Sequence, residues 1–159
     1  MRHYIRRALR LSPSELVLLT RAFATLVLVD IGLRLGGFAH VMGWISRRPA
    51  SHKTGDDALR RAGHYAHWID VAADHHLIRA RCLHRSLTLH SWLRDEGWPS
   101  ELRIGVRRQG SELTAHAWIE LDGQAVNEQP ERVAAFRPLV GLNRIPHWSA
   151  INGTVGDGR

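Results

Sequence analysis

The hydrophobic pattern of the first fifty residues is helical. The sequence SPSE at residues 12–15 offers a capping serine, a proline suited to the first helical position and a glutamate that completes a capping box. A helix is therefore predicted from this point to about Arg34, and the glycine pair at 36–37 should stop or kink it. The apolar residues that follow predict a second, short helical piece over residues 38–46.

A polar segment, RRPASHKTGDD at residues 47–57, follows this helical region. Its proline, glycine and charged residues are typical of a linker. The sequence is therefore predicted to divide into an N-terminal helical arm, residues 1–50, and a C-terminal domain, residues 56–159.

Two further helices are predicted at the start of that domain. In the first, small and apolar residues recur every three or four positions and form one stripe: Ala58, Ala62, Tyr65, Ile69 and Ala72. The second runs from about Arg81 to Glu96, has leucines and a tryptophan on its apolar face, and ends at Gly97.

The period then changes from three or four residues to two. Apolar and polar residues alternate in ELRIGVRR at 101–108, and LTAHAWIEL at 113–121 and QAVNE at 124–128 are predicted as the next strands. The Asp122–Gly123 pair is a strong hairpin signal between the last two. The predicted fold class is α+β, with a helix packed on a small antiparallel sheet and an N-terminal helical arm.

Composition and charge narrow the function classes only slightly. Hydrophobic residues make up 44% and charged residues 23% of the chain, which is typical of folded globular proteins and argues against disorder. The net charge of +7 favours an acidic partner, although an arginine-rich composition that follows the genome would account for it equally well. No recognition-helix or aromatic RNA-binding motif is present, so no nucleic-acid partner is predicted.

The apolar stretch near the N-terminus is the only candidate for a membrane span. Arg21, Asp30 and Arg34 interrupt it, and the uninterrupted part, Ala22 to Val29, is much shorter than the roughly 20 residues that a span requires. A buried or partner-facing helix is predicted, and membrane contact is disfavoured. The expected location is the cytoplasm.

The histidines do not form a metal-binding pattern. His64 and His67 are three apart on a predicted helix, and Asp74, His75 and His76 follow it. No HExxH motif or matching carboxylate accompanies them, so a solvated helix face is predicted, with no metal and no cofactor.

Cys82 is the single cysteine of the chain, so it has no partner for an internal disulfide. Its position at the start of a predicted helix favours the thiolate, because unpaired N–H groups and the positive end of the helix dipole lie there, and Arg79 and Arg81 add positive charge. His116 lies mid-strand between two alanines that leave room for a thiol. A histidine on a strand opposite a helix-borne cysteine is the arrangement of papain-like and transglutaminase-like enzymes; the alternative is a cysteine that is merely packed.

A third residue would orient the histidine. With a two-residue hairpin loop, Asn127 lies on the same face as His116, diagonal to it, whereas a one-residue shift brings Glu128 onto that face instead. Either side chain can accept the ring N–H, and periodicity does not choose between them.

These motifs together resemble one enzyme family. CLHRSL on the helix, ELRIGVRR on the first strand, and AHAW followed by NE are similar to the lasso-peptide biosynthesis B proteins in their stand-alone form. Those proteins are transglutaminase-like cysteine proteases that remove the leader from a ribosomally made precursor. The resemblance covers about residues 56–130.

The resemblance implies a fold, a site and partners. It implies a transglutaminase-like or papain-like core with Cys82 as nucleophile, His116 as base and Glu128 as the acidic third residue, with Asn127 as the alternative. It also implies a precursor peptide as substrate, a separate leader-recognition protein in trans, and a lasso cyclase as a further partner. A transglutaminase-type acyl transferase and a non-catalytic peptide-binding module are the alternatives.

Overall fold

A computed structural model describes residues 12–50, 55–75 and 80–139 of the chain. These residues form four helices and a four-stranded sheet. Three helices come first, three strands follow them, and a short helix then leads to the fourth strand, which lies at an edge of the sheet. Their bounds are α1 Pro13–Ser46, α2 Asp56–Asp74, α3 Cys82–Asp95, β1 Glu101–Gln109, β2 Glu112–Leu121, β3 Gln124–Ala125, α4 Pro130–Ala134 and β4 Arg137–Pro138. The predicted α+β class is confirmed.

The long helix α1 begins and kinks where the sequence predicts. The Ser12 backbone N–H donates to a Glu15 carboxylate oxygen at 2.7 Å, and the Glu15 N–H donates back to Ser12 Oγ at 3.3 Å, which completes the capping box. The helix breaks at Gly37, whose φ of +71° favours glycine. A Cβ built on Gly32 would lie only 2.9 Å from the Val41 side chain, which shows that the chain folds back at this break.

One side of α1 belongs to the core of the protein. Ala22, Leu26 and Val29 are buried in the same cluster as residues of α2, α3 and the sheet, whereas Leu28 and Leu35 are exposed. In the part of the chain that the structure describes, α1 is the one helix long and apolar enough to cross a membrane, and 22% of its most apolar window is buried. The predictions of no membrane contact and of a cytoplasmic location stay predictions.

Asp30 has a structural role in α1. The Arg34 side chain donates to its carboxylate at 2.7 Å and lowers the pKa of Asp30. The other carboxylate oxygen lies 3.3 Å from Nε2 of His84 in the first turns of α3. A charge that interrupts an apolar stretch in the sequence therefore joins α1 to the helix that carries Cys82.

The sheet is antiparallel throughout the described residues, with the strand order β3-β2-β1-β4. Strand β1 pairs with β2 along its whole length, and His116 lies opposite Gly105. The inner face, with Ala117, Ile119 and Leu121, is buried in the core that includes α3.

The third strand is shorter than predicted. The Asp122–Gly123 loop gives the expected two-residue register, with Leu121 opposite Gln124, but the ladder ends after Ala125 rather than at residue 128. The cause is a side chain: the Ile119 N–H donates to Asn127 Oδ1 at 2.7 Å, in place of the next backbone carbonyl of a continuing strand.

Residues 130–139 follow the third strand and bring Phe136 onto the other face of the sheet. They form α4 and then β4, which pairs with β1 opposite Gly105. A Cβ built on Gly105 would lie 2.8 Å from Phe136 Cβ and 2.9 Å from the Trp118 ring. Glycine is therefore required for these two aromatic side chains to cover the outer face next to His116.

Candidate active site

Cys82 is the first residue of α3 and is half-buried. The residue before the helix, Arg81, makes no side-chain hydrogen bond to the first turn. The first N–H groups of a helix have no acceptor within the helix, and in α3 the side chain of the N-cap residue does not supply one either. Arg79 of the predicted positive cluster lies outside the described residues.

The turn of α3 that follows Cys82 is fixed on two sides. Ser86 is fully buried and its hydroxyl donates to the Ala117 carbonyl of β2 at 3.0 Å. Arg85 donates to Asp70 at 2.9 Å and to Asp74 at 2.6 Å, both on α2. The Ser86 bond holds the start of α3 against the strand that carries His116, and the Arg85 bonds hold it against α2.

His116 lies on β2 beside two aromatic rings. Its ring stacks on that of Trp118, with centroids 6.3 Å apart and planes at 23°. The centroid of the Phe136 ring lies 5.2 Å from that of His116. Only 12% of the His116 side chain is exposed. The two rings restrict the imidazole and exclude solvent from one part of its surface.

Glu128 contacts the histidine directly. Its Oε2 lies 2.6 Å from Nε2 of His116, and its side chain is 14% exposed. A carboxylate can only accept a hydrogen bond, so in the neutral imidazole the proton is on Nε2 and Nδ1 is the basic nitrogen. Nε of Arg132, four residues further along the chain, also lies 3.5 Å from the same carboxylate oxygen.

Asn127 occupies a different position. Besides accepting from the Ile119 N–H, it donates through Nδ2 to Ser86 Oγ at 3.2 Å. It therefore joins β2 to α3, and by ending the ladder it allows the next residue, Glu128, to reach His116. Of the two alternatives that the sequence left open, Glu128 forms the hydrogen bond to the ring.

One cleft contains all four predicted site residues. Its volume is about 500 Å³. It is lined by residues of α2, α3, β2 and α4 and of the segments before α3 and after β3, namely Asp70, Ala80, Cys82, Arg85, Thr114, Ala115, His116, Ala117, Asn127, Glu128 and Arg132. Sequence reasoning did not assign roles to Ser86, Arg132 or Phe136. Of these, Ser86 alone carries a local signal, since it lies four residues after Cys82 on the same helix face.

The family model described as the transglutaminase-like superfamily matches residues 25–141, which is most of the chain. The chain belongs to the transglutaminase-like superfamily. This superfamily includes cysteine peptidases and acyltransferases, and most of its members are cysteine-dependent enzymes. No curated protein matches the chain, and no solved structure matches it.

The transglutaminase-like match begins inside α1, within the segment predicted as the arm, and ends beyond β4. It therefore includes most of the buried residues of α1 and the whole cleft. Across residues 12–50, 55–75 and 80–139, no group of three or more histidine, cysteine or carboxylate side chains is arranged to hold a metal ion. His76 of the predicted histidine group lies outside these residues.

Proposed function

We propose that this transglutaminase-like protein is a cysteine peptidase that removes the leader from a ribosomally made lasso-peptide precursor. The observation that carries the proposal is the 2.6 Å contact between His116 and Glu128 in the cleft that Cys82 also lines. The likeness of the CLHRSL, ELRIGVRR and AHAW motifs to the lasso-peptide leader peptidases supports the choice of substrate.

The first step is attack on the peptide bond at the leader–core junction. His116, basic at Nδ1 because Nε2 faces Glu128, takes the proton of the Cys82 thiol, and the sulfur bonds to the scissile carbonyl carbon. The carbonyl oxygen becomes an oxyanion, and the uncapped N–H groups at the start of α3 are suited to stabilise it.

The second step releases the two products in turn. The His116 imidazolium protonates the leaving amine of the core peptide as the carbon–nitrogen bond breaks, which leaves a thioester between the leader and Cys82. His116 then removes a proton from water, the resulting hydroxide attacks the thioester carbonyl, and the thiol is regenerated with release of the leader carboxylate.

Glu128 is assigned as the residue that orients and stabilises the His116 imidazolium, in the role that the third residue of a catalytic triad has. Asn127 is assigned as a positioning residue, because its hydrogen bonds go to Ile119 and Ser86.

The partners belong to the same proposal. Recognition of the leader would need a separate leader-recognition protein that acts in trans, and the product would pass to a lasso cyclase. The net charge of +7 suits an acidic leader or an acidic partner.

The test is mass spectrometry of the precursor peptide encoded beside this protein, incubated with the protein and the recognition partner. Wild type, Cys82→Ala, His116→Ala and the control His67→Ala are compared; His67 is an exposed histidine on α2. A single cut by wild type and His67→Ala alone supports the proposal. Cleavage by Cys82→Ala would exclude Cys82 as the nucleophile.

A parallel reaction with added hydroxylamine or a primary amine distinguishes the acyl-transferase alternative. If water resolves the thioester, the leader product carries a free carboxylate. If only amine adducts form, the protein is an acyl transferase on the same fold. No reaction with a folded protein and an active partner would favour a peptide-binding module.

A further inference from the structure

The outer edge of β2 is open where it enters the cleft. Strand β3 pairs with β2 only at Glu120 and Leu121, and the contact from Val126 extends this to Ile119. Among residues 12–50, 55–75 and 80–139, no strand lies beside the edge of β2 from Glu112 to Ala115.

The register identifies which backbone groups face this open edge. The β1–β2 turn has two residues, so Gln109 and Glu112 form its closing hydrogen-bonded pair, and every second residue of β2 bonds to β1. The residues between them point away from β1, as Ile119 shows by bonding to Asn127 and Val126. The N–H and C=O groups of Leu113 and Ala115 therefore point outward.

This edge is continuous with the candidate active site. Thr114, Ala115, His116 and Ala117 all line the cleft that Cys82 lines. Ala115 is exposed, and its methyl group leaves room for another backbone to approach. Leu113, whose backbone faces the same edge, is 71% exposed and offers an apolar contact beside the cleft.

We infer that the peptide substrate binds as an added β-strand on the outer edge of β2. Its backbone would pair with the N–H and C=O groups of Leu113 and Ala115, and an apolar side chain of the peptide would lie on Leu113. Pairing with Leu113 and Ala115, which lie just before His116 on β2, would bring the scissile bond to Cys82. The edge of β2 would thus bind an extended peptide segment and recognise it mainly by its backbone. This inference rests on the proposed function for the identity of its peptide.

The test uses a synthetic peptide that spans the leader–core junction and a series in which one backbone nitrogen at a time is methylated. An added strand uses the N–H of alternate residues, so methylation should reduce kcat/KM by about five- to tenfold or more at every second position and have little effect between them. The intervening positions are the control. Losses without this alternation would overturn the inference.

A binding measurement is independent of turnover. In Cys82→Ala protein, added peptide should slow hydrogen exchange of the Leu113 and Ala115 amides, while the Thr114 amide, which bonds to β1, is already protected. If the amides are protected but the wild-type protein does not cleave the peptide, the result would support peptide binding at the edge of β2 and contradict the proposed peptidase activity. Three results would overturn peptide binding at the edge of β2. They are cleavage without this protection, no binding of the peptide, and amides that are already protected in the free protein.

Discussion

Asn127 donates a hydrogen bond to Ser86 Oγ at 3.2 Å, and Ser86 in turn donates to the Ala117 carbonyl at 3.0 Å. This chain links the segment after β3, the helix that starts at Cys82 and the strand that carries His116. Because Ser86 is fully buried and lies one turn after Cys82, the relative positions of the cysteine, the histidine and Glu128 depend on it.

We expect Glu128→Gln to reduce kcat far more than it changes KM. The amide keeps the size of the side chain but removes the charge that stabilises the His116 imidazolium, and triads lose about 100-fold or more in kcat from such changes. The measurement is steady-state cleavage of the junction peptide. Glu131→Gln, the same change at an exposed carboxylate three residues on, is the control. Equal rates for the two variants would contradict the assigned role of Glu128.

Asn127→Ala should reduce both stability and activity. It leaves the Ile119 N–H without its acceptor, which costs about 1–3 kcal/mol of unfolding free energy, and it releases the segment that places Glu128. Urea denaturation measures the stability, and Gln124→Ala, an exposed position in the same hairpin, is the control. A fully active variant of unchanged stability would show that Asn127 does not position Glu128.

The buried His90 should make the protein less stable in acid. Burial, with a smaller contribution from Arg94, lowers the pKa of His90 to about 4, and its Nδ1 lies 2.8 Å from Ser100 Oγ. The unfolded chain binds this proton from about pH 6.5 downward and the folded protein only near pH 4, so stability falls as pH decreases through that window, by about 3 kcal/mol at its lower end.

The measurement for His90 is the unfolding free energy between pH 7 and about pH 4. The variant His90→Gln should be less stable at neutral pH and show a shallower decrease in acid, because it has no proton to bind. The exposed variant His67→Ala should keep the slope of the wild type. An unchanged slope in His90→Gln would exclude His90 as the cause.

Two glycine-to-alanine substitutions should change the stability of the protein in opposite directions. Gly105→Ala places a methyl group 2.8–2.9 Å from Phe136 and Trp118, so it should destabilise the protein by about 1–3 kcal/mol and lower activity by displacing the rings that hold His116. Gly63→Ala lies in open space on α2 and should stabilise the protein by about 0.5–1 kcal/mol. Thermal unfolding compares the two, and equal effects would contradict the packing argument.

The sequence by itself determined the three long helices, the first two strands and the turn after the second strand, and it identified the nucleophile and base candidates. Capping at residues 12–15, the break at the 36–37 glycines, the Asp122–Gly123 turn and the change of period from helix to strand are local signals, and the structure has each of them. Local signals are reliable because capping, turn geometry and side-chain alternation depend on neighbouring residues only.

Only the tertiary structure decided what depends on distant residues. Whether Asn127 or Glu128 reaches His116 depends on where the ladder breaks, and it breaks because the Asn127 side chain bonds both to β2 and to Ser86, 41 positions earlier in the chain. The role of Asp30 likewise depends on His84, which is 54 positions away. The spacing of hydrophobic residues shows which face of an element is buried, but it does not show how two elements pack against each other. Each of these contacts is made by one side chain between two elements, so the spacing alone does not predict it.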